Sequence, residues 1–407
     1  MPDAEAIEIV ALGAQGDGIA ETGQGPRYVA FALPGERVRV ADSGLPEIVS
    51  SPSPDRIAPM CRHFGVCGGC VAQHMGAALY ADWKRGIVVE AFRQRGLAPQ
   101  IAPLVHVPPA SRRRAVLSAR RAGGDIVLGY HRRASHDVFG LEECPVLVPD
   151  IVRQLAGLRQ LARVMLKGEA RITVLATPAG LDVALDTEAR IDAAMTSQLA
   201  PVAAAYRFAR ISINGETVMQ RARPTLDLGG VPLVPPPGAF VQAVGEAEDA
   251  MVERVRDAAG RSKRIADLFA GVGTFSFALA RRARILAIDS DARAVAALAE
   301  AARHAQGLKP IETRVRDLFG DPLSPRELDA FDAVVFDPPR AGARAQAEAL
   351  AQSRVPAVIA VSCSPATLAR DARALVDGGY RIDSVVPIDQ FLYSAHVEVV
   401  AILRRPR

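Results

Sequence analysis

The chain has 407 residues, 49% of them hydrophobic, and a net charge of +4, enough to build two or three domains with cores of their own. No stretch has the apolar length of a membrane span and Met1–Ala6 lacks a basic-then-apolar leader, so no membrane partner and a cytoplasmic location are expected. The basic residues are nearly all arginine, with lysine only at Lys84, Lys167, Lys263 and Lys309, so the clustering of charge is more informative than its total.

Residues 1–55 alternate turn glycines (Gly13, Gly16, Gly18, Gly23, Gly25) with strand-like runs such as Arg27–Ala32 and Arg37–Ala41, the pattern of a small β-barrel. Within it, Phe31-Ala32-Leu33-Pro34-Gly35-Glu36-Arg37-Val38 resembles the signature of the TRAM domain, a small RNA-binding barrel, although an ordinary β-domain reads the same way locally. Ser51–Pro59, with three prolines, reads as a linker.

A C-x5-C-x2-C run follows, formed by Cys61, Cys67 and Cys70, with Gly68 and Gly69 letting the backbone fold tightly around a metal centre. Cys144, followed by Pro145, is the candidate fourth ligand. An odd number of cysteines with tight local spacing argues for metal and catalysis rather than disulfides. Four thiolates suit either an iron–sulfur cluster or a tetrahedral zinc site. Cys363 is left over.

Leu79, Trp83, Ile87, Ala91 and Arg95 suggest a helical hairpin between Val71 and Gly96. Arg112–Arg114, Arg120–Arg121 and Arg132–Arg133 then fall on strand-like segments broken by Gly123–Gly124 and Gly129. Grouped arginines can track a phosphate backbone, and RNA contact is expected here because net basicity points the same way. Residues 150–225 alternate helix-like and strand-like patterns without recognisable chemistry.

The C-terminal part is the most legible. Ile265–Leu268 is a strand running into a G-x-G turn at Gly271 and Gly273, with a helix from Phe275 to Arg282. Ser276 stands where a dinucleotide fingerprint needs a third Gly or Ala, which disfavours NAD. Successive strands end in acids: Arg284–Ile288 at Asp289, Arg314–Arg316 at Asp317, and Ala333–Phe336 at Asp337-Pro338-Pro339-Arg340. That series suits a doubly wound sheet binding S-adenosylmethionine along its carboxyl edge. Val358–Val361 is a buried strand, and Ser364-Pro365 supply an N-cap and a first helical position. Cys363 therefore sits between a strand's carboxyl end and a helix start, where a helix dipole lowers a thiol's pKa and activates it. A small buried hydrophobe is the competing reading.

Taken together, Gln242 in Phe240-Val241-Gln242, Asp267–Thr274, Asp337–Arg340, Ser362–Pro365 and His396-Val397-Glu398 resemble the RNA 5-methyluridine methyltransferases over nearly the whole chain. The cysteine spacing and N-terminal barrel narrow the resemblance to the iron–sulfur branch that modifies 23S ribosomal RNA. Two departures occur: Thr274 stands where the family commonly carries Asn, and Asp289 where many members carry Glu. The resemblance implies an α/β chain with a TRAM-like β-barrel (1–55), a central α+β iron–sulfur and RNA-binding domain (56–235) and a Rossmann-like methyltransferase domain (236–407). It implies S-adenosylmethionine and a [4Fe-4S] cluster as cofactors, 23S rRNA as partner, and a monomer.

By the same resemblance Cys363 adds to carbon 6 of uracil, because carbon 5 is too weak a nucleophile to accept a methyl group unaided. Glu398, an acid interrupting an apolar strand, removes the carbon 5 proton. Asp337 accepts a hydrogen bond from the uracil or helps hold the cofactor, while Gln242, Phe269, Thr274, Asp289 and Asp317 line the S-adenosylmethionine site. Cys61, Cys67, Cys70 and Cys144 ligate the cluster. The target base must leave its stack, so single-stranded or looped RNA is the expected substrate. Two other functions fit the same residues less well: the same chemistry on transfer RNA, and a non-catalytic RNA-binding or assembly factor.

Overall fold

The computed structural model describes residues 6–40, 46–166, 168–188 and 193–406. Residues 1–5 and Ala41, which entered the leader and strand expectations, lie outside the described residues. The N-terminal strands form two three-stranded antiparallel sheets, ordered Ile7–Glu8, Arg37–Val40, Pro46–Ile48 and Ala11–Leu12, Gly18–Thr22, Gly25–Val29. They share a small core of Ile9, Ala20, Val29, Ala32 and Val38. The proline-rich segment after them is not a free linker. Arg56 holds the buried Glu36 carboxylate through Nε (2.6 Å) and donates to the Phe31 carbonyl (2.7 Å), which fastens the segment to the β-unit.

The central sheet runs in the order Glu216–Gln220, Arg210–Ile213, Gly180–Asp186, Glu169–Thr177, Arg114–Ala122, Asp125–His131, Val138–Gly140. Helices Leu155–Met165 and Ala193–Tyr206 cover it, placing Leu158, Leu161, Leu199 and Ala203 against Leu117, Ile172 and Val183. Gly129 does not break a strand as expected. It lies inside Asp125–His131 opposite Gly140, where a Cβ would meet the Phe139 carbonyl oxygen at 2.1 Å, so the glycine permits close strand pairing.

The grouped arginines differ from expectation in a similar way. Arg113 donates to Glu248 (3.0 Å) and to the Gln242 carbonyl (3.2 Å), Arg114 to the Ala239 carbonyl (3.3 Å), and Arg121 to the Arg163 carbonyl (2.9 Å). Their donors satisfy carbonyl and carboxylate groups of neighbouring segments, as part-buried acceptors require. Arg113 and Arg114 thereby join the central sheet to the C-terminal unit.

The C-terminal sheet is Rossmann-like, ordered Ile311–Val315, Arg284–Asp289, Arg264–Leu268, Ala333–Phe336, Ala357–Ser362, Glu398–Arg404, Arg381–Ile388. The first five strands are parallel, and Glu398–Arg404 runs antiparallel between its two neighbours. The parallel strands therefore bring their carboxyl ends to one edge, while Glu398 starts its strand at that same edge, beside Ser362–Cys363.

Residues 71–96 form one helix, Ala77–Arg93, rather than a hairpin. Leu79, Trp83, Ile87 and Ala91 recur every fourth residue and so make one stripe of a single helix. The preceding residues are held by main-chain bonds: Val71 and Ala72 donate to the Tyr393 carbonyl, and Gly76 to that of Asp55. Tyr80, Trp83, Val88 and Phe92 of the helix enter the core of the C-terminal sheet. Lys84, wholly buried, pairs with the equally buried Asp389 (3.0 Å) and donates to the carbonyls of Phe391 and His396. The Tyr80 hydroxyl donates to Asp389 (2.8 Å) and accepts from the Tyr393 amide (2.8 Å).

Lys84→Met leaves Asp389 buried without its cation and is expected to lower stability by about 3–5 kcal/mol. Lys84→Met/Asp389→Asn should recover most of that loss, as read by chemical denaturation of both variants.

Candidate active site

Strand Arg264–Leu268 leads into the G-x-G turn through Phe269, which has a left-handed φ of 58°, and through Gly271 (54°) and Gly273 (99°). A Cβ on Gly273 would lie 2.9 Å from Leu298 and Phe277, so glycine is needed there for conformation and for space. Thr274 is the first residue of helix Thr274–Ala280. The Asp289 carboxylate accepts from the Gly271 amide and the Asp291 amide, both at 2.8 Å, and so braces the turn from the next strand. Asp317 accepts from the Phe319 amide (3.0 Å), and the Phe319 and Phe269 rings lie 5.4 Å apart. Phe269, Thr274, Asp289 and Asp317 thus stand around one turn.

Deeper in the same edge is a buried polar chain. Gln242 Nε2 donates to Asp337 (3.0 Å), and Gln390 Nε2 donates to Gln242 Oε1 (2.8 Å) and to Glu398 Oε2 (2.9 Å). Glu398 is 3% exposed and its Oε1 has no partner. Burial, reinforced by the Asp337 charge, holds its carboxyl well above the usual carboxylate range. Burial likewise pushes Asp337 up to about 7. Asp267, fully buried on its strand, accepts from the Ser276 hydroxyl (2.6 Å), leaves Oδ1 unpartnered and is also pushed up to about 7 by burial.

Cys363 follows strand Ala357–Ser362, in a turn held by the Ser364 amide donating to Ser362 Oγ (3.1 Å). Helix Pro365–Asp377 starts immediately after, with Ser364 at the N-cap position but no side-chain cap bond. The thiol is not activated by that helix as expected. Burial, then the charges of Glu398 and Asp337, push its pKa up to about 11, with Arg340 opposing. Partial desolvation plus two nearby carboxylates outweigh the dipole of helix Pro365–Asp377, whose effect at this end falls off within the first turn.

Cys363 opens onto a cavity of about 720 Å3 between helix Ala77–Arg93, the Gly13–Gln15 loop and the Arg340–His396 pair. Cys61, Cys67, Cys70 and Cys144 all line a second cavity, of about 310 Å3. Backbone amides approach two of these sulfurs, Gly69 at Cys67 (3.5 Å) and Val146 and Leu147 at Cys144. Among the described residues no group of three or more His, Cys, Asp or Glu is drawn together for a single metal ion. Arg340 and His396, hydrogen-bonded at 2.8 Å, line both cavities. Burial and the Arg340 charge lower the His396 pKa to about 4, so the ring is neutral at physiological pH.

Sequence reasoning assigned no role to Gln390, Asp267, Lys84 or the Arg340–His396 pair. Arg340 and His396 lie inside quoted motifs, whereas nothing local marks Lys84 or Gln390, because their importance depends on chain segments remote in sequence.

Residues 323–406 match the family described as tRNA (Uracil-5-)-methyltransferase. An uncharacterised RNA methyltransferase of Rhizobium meliloti is 48% identical over 410 residues, covering 98% of this chain and 99% of that protein. The 23S rRNA (uracil(1939)-C(5))-methyltransferase RlmD of Alkalilimnicola ehrlichii is 34% identical over 430 residues, covering 98% and 96%. The crystal structure of Pyrococcus abyssi tRNA (uracil-54, C5)-methyltransferase in complex with S-adenosyl-L-homocysteine superposes with a TM-score of 0.77 at 22% identity, covering 98% of this chain and 99% of that one. That likeness shows a shared fold.

The raised pKa of Asp267 has a consequence for stability. A carboxyl whose folded pKa lies above its unfolded value favours the folded state at low pH, and this contribution is lost as pH rises from about 4 to about 7. Asp267→Asn should lack that loss, by up to about 4 kcal/mol at about 1.4 kcal/mol per pKa unit. Unfolding at pH 5 and pH 8 should therefore show a smaller drop in the variant than in the parent.

Proposed function

The chain belongs to the RNA (uracil-5-)methyltransferase family, and from that premise we propose that it methylates carbon 5 of a uridine in 23S rRNA through a covalent cysteine–uracil adduct. The observation that carries the reading is the meeting of Cys363, Glu398 and Asp337 at one sheet edge, each carboxylate close enough to shift the thiol. The end-to-end similarity to RlmD supports rRNA over transfer RNA as substrate.

S-adenosylmethionine supplies the methyl group. The turn around Phe269, Thr274, Asp289 and Asp317 fits such a ligand, since the positive-φ glycines Gly271 and Gly273 let a ligand approach the backbone and the Asp289 and Asp317 carboxylates are not fully buried. Gln242 joins that region to Glu398 through Gln390. Cys363 reacts as the thiolate, which the Arg340 charge favours. Its sulfur bonds to carbon 6 of uracil, and the displaced electron pair makes carbon 5 nucleophilic toward the methyl group. After methyl transfer, Glu398 takes the carbon 5 proton, the carbon–sulfur bond breaks and the ring double bond returns. A carboxylate whose pKa is raised by burial is a stronger base once ionised, which suits this step.

We assign Cys61, Cys67, Cys70 and Cys144 as ligands of a [4Fe-4S] cluster. The shared cavity and the backbone amides near the sulfurs fit that group, because hydrogen bonds to sulfur are a usual feature of such sites. Residues 1–55, 56–235 and 236–407 are proposed as a TRAM-like RNA-binding unit, the cluster-bearing RNA-binding unit and the catalytic unit of a cytoplasmic monomer.

Nucleoside mass spectrometry on separated 23S rRNA and transfer RNA from a deletion strain tests the reading. Loss of 5-methyluridine from 23S rRNA is expected, restored by the parent gene but not by Cys363→Ala, and Glu398→Gln should accumulate a protein–RNA adduct on denaturing gels. Loss confined to transfer RNA would transfer the substrate, and no loss in either would favour a binding factor. Anaerobically purified protein should be brown, with visible absorption removed by Cys144→Ser. A colourless protein with stoichiometric zinc would refute the cluster.

A further inference from the structure

The opposite edge of the C-terminal sheet carries a feature that the catalytic reading leaves unused. Strands Arg264–Leu268 and Arg284–Asp289 begin there, and the loops entering them and strand Ile311–Val315 frame an open groove of about 950 Å3. Lys263, Arg264, Arg282, Arg284 and Lys309 line it, all exposed. Two of them are among the chain's four lysines.

None of these five cations forms an ion pair among the described residues. The two carboxylates on the groove are already matched, Glu312 with Arg314 (2.9 Å) and Glu327 with Arg316 (2.7 Å). Elsewhere exposed arginines such as Arg93, Arg153, Arg303 and Arg344 have an acid one helical turn away. The groove therefore gathers five cations without an acidic partner on one open surface. Side chains held this close repel one another, and a polyanion relieves that repulsion while releasing its own counterions.

We propose that this groove binds the phosphodiester backbone of the substrate RNA, at a segment away from the target uridine. The inference rests on the RNA methyltransferase reading. The target base must enter at the carboxyl edge, near Cys363, whereas the groove lies at the amino edge. A five-residue strand rising about 3.3 Å per residue separates the two by roughly 15 Å. One hairpin loop inserted at Cys363 does not fill both places. The substrate is accordingly a larger folded RNA whose flanking helix reaches round the sheet, and the groove contributes affinity without sequence preference.

The test compares the full-length RNA found to be methylated with a hairpin carrying only its target loop. Lys263→Gln/Arg264→Gln/Arg284→Gln/Lys309→Gln is expected to raise KM for the full-length RNA at least about tenfold. It should also reduce the slope of log affinity against log salt by about 3, from about 0.7–0.9 per lost phosphate contact. Kinetics on the hairpin should not change. Arg264 also lies over the Phe331 ring, so the triple variant that keeps Arg264, expected to lose about 2 from the slope, guards against misfolding.

An unchanged slope on the full-length RNA overturns the proposal, as does an equal loss on hairpin and full-length RNA. Weakened binding to anionic vesicles with RNA binding intact also overturns it, assigning the groove to a membrane surface. If the parent protein methylates no RNA, the catalytic reading fails, and the salt slope of filter binding to a 23S rRNA transcript still decides the groove.

Discussion

The buried pair of Lys84 and Asp389 is the interaction on which the arrangement of the active site depends. Both side chains are fully removed from water, a placement in which desolvation alone would push the lysine toward neutrality and the acid toward protonation. Each offsets that cost for the other, and the remaining lysine donors go to the carbonyls of Phe391 and His396. The pair thus fixes the segment between strands Arg381–Ile388 and Glu398–Arg404 from a helix some three hundred positions earlier in the chain. Tyr80 adds a further bond to Asp389, and the Tyr393 carbonyl receives the two amides that follow Cys70. The loop that ends at Glu398 is consequently held on one side by the cysteine loop and on the other by Gln390, which touches Glu398 itself.

A second constraint is the crowding of acids at a dry sheet edge. Asp267 and Glu398 are buried and Asp337 half-buried, and each is displaced toward its protonated form. Such a cluster lowers stability near neutral pH, because the folded protein must either keep protons that water would remove or carry unfavourable charge. The same crowding raises the Cys363 thiol. Arg340 opposes that rise and is the chain's own favourable charge for a thiolate at that place. Sites that tolerate such costs are commonly functional ones.

Charge is handled differently in the rest of the molecule. On the central sheet Arg113 and Arg114 join structural units, and helix arginines such as Arg93, Arg153, Arg303 and Arg344 pair with acids one turn away. At the amino edge of the C-terminal sheet, five cations share one groove without an ion pair among the described residues, and the two carboxylates lining it are matched to other arginines. The two edges of one sheet therefore present opposite fields, acidic and buried at one, basic and open at the other.

Much of this was legible in the sequence because it is set by local chemistry. The G-x-G turn needs positive φ at Gly271 and Gly273, a strand followed by Ser-Pro places Cys363 before a helix, and acids at strand ends mark a carboxyl edge. These depend on residues adjacent in the chain. The error about residues 71–96 came from reading two helices into one stripe whose four-residue spacing already described a single helix. Other departures have a different origin. Gly129 reads as a turn until Phe139 is packed against it, and Arg113 reads as a phosphate contact until Glu248 is placed beside it. The thiol of Cys363 reads as activated until Asp337 and Glu398 are brought near. Composition and local spacing determined the elements and where the candidate residues sit on them. Tertiary structure alone decided which charges meet, since Coulomb energy and desolvation depend on distance through space and on burial, and neither is carried by position along the chain.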